Sequence, residues 1–367
     1  MFWMYAGFIL LVLALLALDL GVFHRKAHVV SVREALGWSA FWIALGLSFS
    51  AFVYVGYDRH WMGLGLTPDL MSSHPQAVEG VGLVYNDGPT AAVKYVTGYV
   101  VEKSLAVDNI FVIAMIFSFF AVPPIYQHRV LFWGIVGALL LRGLMIGAGA
   151  KLIAEFNWII YVFGGFLILT GIKMLFMSDD QADLNENAVV RLVRRLFPIT
   201  ERYHGEHFFV RAGSGASHEA AQPGAAVETD RVVDGARAGT LLATPLMLAL
   251  VMVEVTDLIF AVDSIPAIFA ITGDAFLVFT SNIFAILGLR SLYFALAGMI
   301  ERFRYLKVAL SAVLVIVGVK MLTHVQLKAL LGPNFNLYLL AVVVSVLAAG
   351  VFASLWATRG DRNGTTA

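Results

Sequence analysis

Two apolar stretches of this chain carry carboxylates. Val101 to Phe117 reads VEKSLAVDNIFVIAMIF and holds Glu102 and Asp108. Val253 to Phe269 reads VEVTDLIFAVDSIPAIF and holds Glu254, Asp257 and Asp263. An ionised carboxylate in hydrocarbon is costly, so each needs a partner, a cavity or a cargo. Clustered oxygen donors suit a hard divalent cation such as Mg²⁺, Ca²⁺ or Mn²⁺. Asn109 and Ser264 adjoin the two aspartates, and Asn282 lies in a later apolar run, so neutral oxygens are also at hand. The candidate metal ligands are therefore Glu102, Asp108, Asn109, Glu254, Asp257 and Asp263, on two stretches that face each other around an ion in transit.

Helix geometry limits how these residues can act together. Glu254 and Asp257, three apart, share a face. A six-residue step turns about 120° beyond whole turns, so Glu102 and Asp108 diverge, as do Asp257 and Asp263. Either a helix is broken or the acids serve different steps. Pro266, three residues after Asp263, would free a carbonyl near Val262. The competing structural role is ion pairing within the bundle, for which Lys103, Arg142 and Arg290 are available. Asp19, near the end of the first apolar run, fits an interfacial acid equally well. His204 and His207 form an HxxH pair with no third ligand, a weak zinc signal better read as a solvated loop pair.

The elements that must position the acids are membrane spans. The 367 residues are 60% hydrophobic and 14% charged, with mean hydropathy +0.82. Several runs reach the roughly 20 apolar residues that cross a bilayer. Nine spans are expected: Phe2–Phe23, Trp38–Tyr57, Ala91–Phe120, Val130–Ala150, Trp158–Met177, Leu241–Ile271, Phe276–Ile300, Leu306–Leu322 and Leu337–Trp356. Alternate loops are rich in Lys and Arg (Arg25, Lys26 and Arg33; Arg191 to Arg211; Arg302, Arg304 and Lys307; Arg359 and Arg362). By the positive-inside rule this puts the N-terminus outside and the C-terminus in the cytoplasm. Glu206 to Gly215 reads as a short strand and turn, Ala188 to Phe197 as a basic amphipathic surface piece, Ala216 to Gly239 as flexible, and Met71 to Gly88 as loop.

Composition also excludes function classes. Net charge is zero and no run of like charges suits nucleic acid. Cysteine is absent, which removes thiolate metal sites and thiol catalysis. No GxxxxGK[ST] loop is present, against an ATP-driven pump. No histidine lies mid-span, against a membrane metalloenzyme, so the expectation is a non-enzyme with no prosthetic group.

The chain repeats itself. Leu105–Asp108 (LAVD) matches Phe260–Asp263 (FAVD), which sets Glu102 opposite Asp257. Leu141-Arg142 matches Leu289-Arg290, and Gly171–Leu175 (GIKML) matches Gly318–Leu322 (GVKML). Each copy holds three spans, so the second enters the membrane from the opposite side, the inverted-repeat plan of many secondary transporters, with the site where the copies meet. The organisation read is 1–90, two N-terminal spans and an outside loop; 91–177, the first repeat; 178–240, a cytoplasmic loop; 241–324, the second repeat; and 325–367, the last span and tail. The fold class is an all-α polytopic membrane protein.

The segments EKSLAVDNIFV (102–112), ATPLMLALVMVEVTDLIFAVDSIPAIFAIT (243–272) and TSNIFAILGLRSLYFALAG (280–298) resemble the TerC family, its Alx-type members in particular. LDLGVFHRKAH (18–28) and EHFFVR (206–211) fit as well, and the loop Gly213 to Gly239 is longer than the family leads one to expect. The resemblance implies a bacterial inner-membrane protein, manganese efflux for Alx-like members, and a link to tellurite resistance. It carries the family's acidic positions onto Glu102, Asp108, Asn109, Asp257 and Asp263, with Glu254 beside them. The residues alone lead to a hard divalent cation; only the resemblance selects Mn²⁺. The expected function is a secondary exporter of Mn²⁺ in the lipid bilayer, with protons as a reasonable counter-ion. The alternative is a membrane scaffold or stress-response subunit whose intramembrane acids are structural.

Overall fold

A computed structural model describes residues 2–21, 31–69, 71–72, 75–156, 158–176, 190–192, 195, 197–213, 230–296, 305–332 and 335–364. Apolar runs become helices whose starts are written locally. Helix α1 spans Phe2–Gly21 and α2 spans Val32–Asp58. Ser31 caps α2 by accepting from Glu34 N at 3.3 Å, in the Ser-x-x-Glu spacing of a capping box. A short 3₁₀ turn at Trp61–Gly63 leads to a hairpin, β1 (Gln76–Val78) against β2 (Gly82–Val84), inside the segment expected to be loop. Asp87 caps α3 (Gly88–Phe119) by accepting from Thr90 N, and α4 (Pro124–Glu155) and α5 (Ile159–Phe176) follow.

The segment between α5 and the second acidic helix folds partly onto the bundle. Strand β3 (Phe209–Arg211) bears out the strand expected near 206–215. Its partner is β4 (Leu241–Ala243), antiparallel, with the short α6 (Arg231–Gly235) between them in sequence. Val210, Ala212, Val233 and Leu242 make a small core there. Tyr203 donates to Phe120 O at 2.6 Å and Arg129 pairs with Glu206 at 2.9 Å, which ties this unit to the α3–α4 turn. His204 is buried against Asp230, 3.3 Å away, so it is not the solvated residue expected; His207 is exposed. The acidic stretch Asp179 to Glu186, most of the amphipathic piece and residues 214–229 lie outside the described residues, as do Arg25, Lys26, Arg302 and Arg304.

The second acidic helix, α7, spans Pro245–Phe269. The expected span began at Leu241, but Thr244 precedes a proline and is held extended, so Leu241–Ala243 is strand and the helix opens at Pro245. Helix α7 runs on through Pro266 without a break. The break comes in the next span instead. Helices α8 (Ala275–Ile286) and α9 (Leu289–Leu296) are bent by 41° across Leu287–Gly288. Helices α10 (Leu306–Leu322), α11 (His324–Leu331) and α12 (Phe335–Gly364) complete the chain.

Among the described residues six helices are long and apolar enough to cross a membrane, and the α8–α9 pair would be a seventh. The other two expected spans are α3, which carries Lys94, Glu102, Lys103 and Asp108, and α10, which has 17 residues. Helix α3 packs on α8, while α4 packs on α7. Helices α5 and α10 cross closely enough that a Cβ on Gly318 would meet Gly164 O at 2.8 Å. On the same seam Ser311 Oγ donates to Gly171 O. Position 164 stands to 311 in the repeat as 171 stands to 318, so the two contacts are one contact with the copies exchanged.

One buried polar knot ties the segment after α2 to the α7–α8 turn. Asp69 accepts from Lys94 Nζ (2.9 Å), Asn86 Nδ2 (3.0 Å), Thr272 Oγ1 (2.8 Å), Gly273 N (2.7 Å) and Met71 N (2.8 Å). Burial alone would raise its carboxyl; the Lys94 ammonium and these donors outweigh it and hold Asp69 well below the usual carboxylate range. Asp274 is its opposite. Its Oδ1 caps α8 at Phe276 N and Leu277 N, and the buried Tyr57 hydroxyl lies beside the carboxyl. Burial, with the Asp69 carboxylate nearby, pushes Asp274 up to about 6.

Two outcomes are expected. Asp69→Ala strands Lys94 in the interior and should cost about 3–5 kcal/mol, read as a lowered unfolding midpoint in detergent. Between the ordinary carboxylate value and about 6 the folded Asp274 holds a proton that the unfolded chain has released. The chain therefore loses stability as pH rises through that window. Asp274→Asn keeps the cap and should flatten this loss; a midpoint that still falls equally between pH 4 and 7 would count against the assignment.

Candidate functional site

The acids of the two repeats meet at an arginine. Arg142, on α4, is 1% exposed at its side chain and Glu102, on α3, is fully buried. Its Nη1 donates to Glu102 Oε1. From the other copy, Asp257 on α7 receives a two-pronged contact: Nη2 to Oδ1 at 2.9 Å and Nε to Oδ2 at 3.2 Å. Nη1 also reaches Asn282 Oδ1 on α8 at 3.2 Å and Ser264 Oγ on α7 at 3.4 Å. Four helices thus converge on one guanidinium, whose planar fork matches carboxylates. The repeat-matched acids Glu102 and Asp257 are the two carboxylates joined.

Around this centre acid exceeds base. Glu254, one turn before Asp257, packs against Gly137 of α4, where any side chain would collide with its carboxylate. Its Oε2 is buried with no hydrogen-bond partner among the described residues, and the same holds for Glu102 Oε2 and Asn282 Nδ2. Three carboxylates therefore share one neighbourhood with a single guanidinium. Lys103, adjacent to Glu102 in sequence, points elsewhere: its Nζ donates to Ala285 O and Leu287 O.

The remaining predicted residues divide as helix geometry requires. Asp263 lies on another face of α7 and accepts from Thr170 Oγ1 of α5 at 3.2 Å. It opens into a groove shared with Phe166, Leu169, Lys173, Ile259 and Val262. Asn109 is buried in α3, and Asp108 beside it is half-buried. With α3 and α7 both unbroken, the broken-helix alternative falls: Glu102 and Asp257 meet at Arg142, and Asp263 stands apart from the arginine. No group of three or more His, Asp or Glu side chains is gathered into a ready metal cage among the described residues. The donor set fits a hard cation chemically, with carboxylate, amide and hydroxyl oxygens in reach of one point, but here Arg142 occupies that point. The pseudo-equivalent Arg290 pairs with Asp19 of α1 at 2.9 Å, so the two copies use their arginines differently.

In the sequence Arg142 stands as a neutralising partner and a repeat anchor, and neither Thr170 nor the Asp69–Lys94 knot is picked out. Lys94, a cation in an apolar helix, was a signal of the same kind as the acids.

A family model described as "Integral membrane protein TerC family" matches residues 87–362. The chain is 47% identical over 356 residues to "Uncharacterized membrane protein STKORF319" of Myxococcus xanthus, which covers 97% of this chain and 93% of that protein. It is 40% identical over 347 residues to "Putative membrane-bound redox modulator Alx" of Escherichia coli (strain K12), covering 93% of this chain and 94% of the relative. The protein of the same description from Salmonella typhi is 41% identical over 347 residues, covering 93% of each chain. No solved structure matches. The family match and the near full-length relatives agree: the chain belongs to the TerC family of integral membrane proteins.

Proposed function

We propose that this chain is a secondary exporter of a divalent cation, Mn²⁺ by its family resemblance, working in a bacterial inner membrane with the N-terminus outside and the C-terminus in the cytoplasm. The observation that carries the reading is the surplus of buried carboxylate around Arg142. Glu102, Glu254 and Asp257 outnumber the guanidinium, and two of their oxygens are buried with no hydrogen-bond partner among the described residues. Surplus carboxylate in a low-dielectric interior calls for a cation or for a proton in its place. The ion would be taken from water by these oxygens as the Arg142 contacts loosen, with Ser264, Asn282 and Asn109 as neutral donors. Asp108 and Asp263, on other faces of the same helices, would serve a different step, such as entry or release.

The reciprocal contacts of α5 with α10, and of α3 and α4 with α8 and α7, support inverted repeats that rock against each other around the site. Protonation of a buried carboxylate would release the ion, which makes proton exchange a natural coupling.

A second reading follows from relatives named as redox modulators. This chain has no cysteine, so a redox role through its own thiols is closed to it. Either a scaffold for another protein or a change in the metal supply of redox enzymes would fit that name.

Three measurements separate these readings. In proteoliposomes, Glu254→Gln and Asp257→Asn should each lower Mn²⁺ flux by about tenfold or more. Asp108→Asn and Asp263→Asn should lower it too, and unchanged flux in all four would sink the exporter. Removal of residues 214–229 should leave flux intact; a scaffold would instead lose its cellular effect while any flux persisted.

A further inference from the structure

The break between α8 and α9 exposes backbone in the bundle interior. Helix α8 ends at Ile286, Leu287 is extended (φ −56°, ψ 132°), and Gly288 takes φ +78° before α9 resumes. A Cβ at 288 would overlap the Trp42 side chain, so the position requires glycine for its dihedral and for its space. A helix that stops here leaves its last carbonyls without helical partners. In a water-poor interior a bare carbonyl is expensive. Two of these oxygens, Ala285 O and Leu287 O, accept from Lys103 Nζ on α3 at 3.0 and 3.2 Å. The negative end of the α8 dipole favours a positive charge at this place. Three residues earlier on the same side of α8, Asn282 Oδ1 is held by Arg142.

We propose that the carbonyl end of α8 is a binding site for a small monovalent cation, and that its resident ion is the tethered ammonium of Lys103. Two neutral carbonyls offer partial charges only, which suits a singly charged ion; the divalent cation belongs with the carboxylates. Lys103 is then a positioning residue. It fixes the end of α8, and with it the side of α8 that Asn282 presents to Arg142. The inference concerns the backbone of the break and holds whether or not the chain exports a metal.

The test is chemical rescue of stability in the purified full chain in detergent, with no Mn²⁺ present. Lys103→Ala removes the ammonium and leaves its place open. Its unfolding midpoint in choline chloride should fall roughly 5 °C below wild type. Ammonium or methylammonium chloride at the same ionic strength should restore it saturably, while wild type and the exposed-lysine control Lys173→Ala do not respond. Lys103→Met fills the same space without charge and should be destabilised but not rescued. The proposal is overturned if Lys103→Met matches wild type, which would make the role one of packing. It is overturned equally if Lys103→Ala is unaffected in choline, or if no small cation restores it, including the case in which it fails to fold in every salt.

Discussion

The contact on which the rest depends is that of one buried guanidinium with two carboxylates from different thirds of the chain. Arg142 is nearly inaccessible, Glu102 wholly so, and Asp257 only slightly exposed. A guanidinium so placed is tolerable only when geometry is good and each of its own nitrogens is answered. Arg142 meets that demand by drawing α3, α7 and α8 onto α4. Replacing it with an apolar residue would leave three carboxylates without a cation, so the chain cannot give up this arginine without giving up the acids. The Glu254 carboxylate takes up the space that a Cβ at Gly137 would fill, so a side chain at 137 would have to push it aside.

The acids were legible in sequence because an ionised group in an apolar run is conspicuous, and the helical angle between Glu102 and Asp108 already implied that no straight helix could gather them all. The matched pair Glu102 and Asp257 followed from the LAVD and FAVD echo, and it is the pair that meets. What misled was the proline. Pro266 marks a place for an interruption by its chemistry, yet it lies within one turn of the end of α7, and the helix runs through it. The interruption at Gly288 gave no such mark, because glycine is common in spanning helices and only the approach of Trp42 and Lys103 makes this one different. The Asp69 knot was hidden for another reason, although Lys94 stands out in its apolar helix. Its partners lie 17, 25 and 203 residues away, and no local pattern encodes a contact of that range.

Lysines recur as seals for helix ends. Lys103 closes α8, and Lys320 donates to Ala270 O just past the end of α7 while lying over the Phe335 ring. Both meet the negative end of a helix with a full positive charge. The repeat partner of Lys320 is Lys173, which is exposed and sits instead on the groove with Asp263. Matching pieces of sequence thus make different contacts in the two halves, as with Arg142 and Arg290.

The seam between α5 and α10 is keyed. Gly164 lies under Leu322, Gly171 under Val315 and Gly318 under Ile168, so each glycine is a hollow that takes a side chain of the other helix. The hydrogen bond from Ser311 to Gly171 fastens the same contact. Interdigitated surfaces must unseat their knobs before they slide. The α5–α10 pair is therefore a pivot, and not a sliding plane, for any movement between the two halves of the bundle.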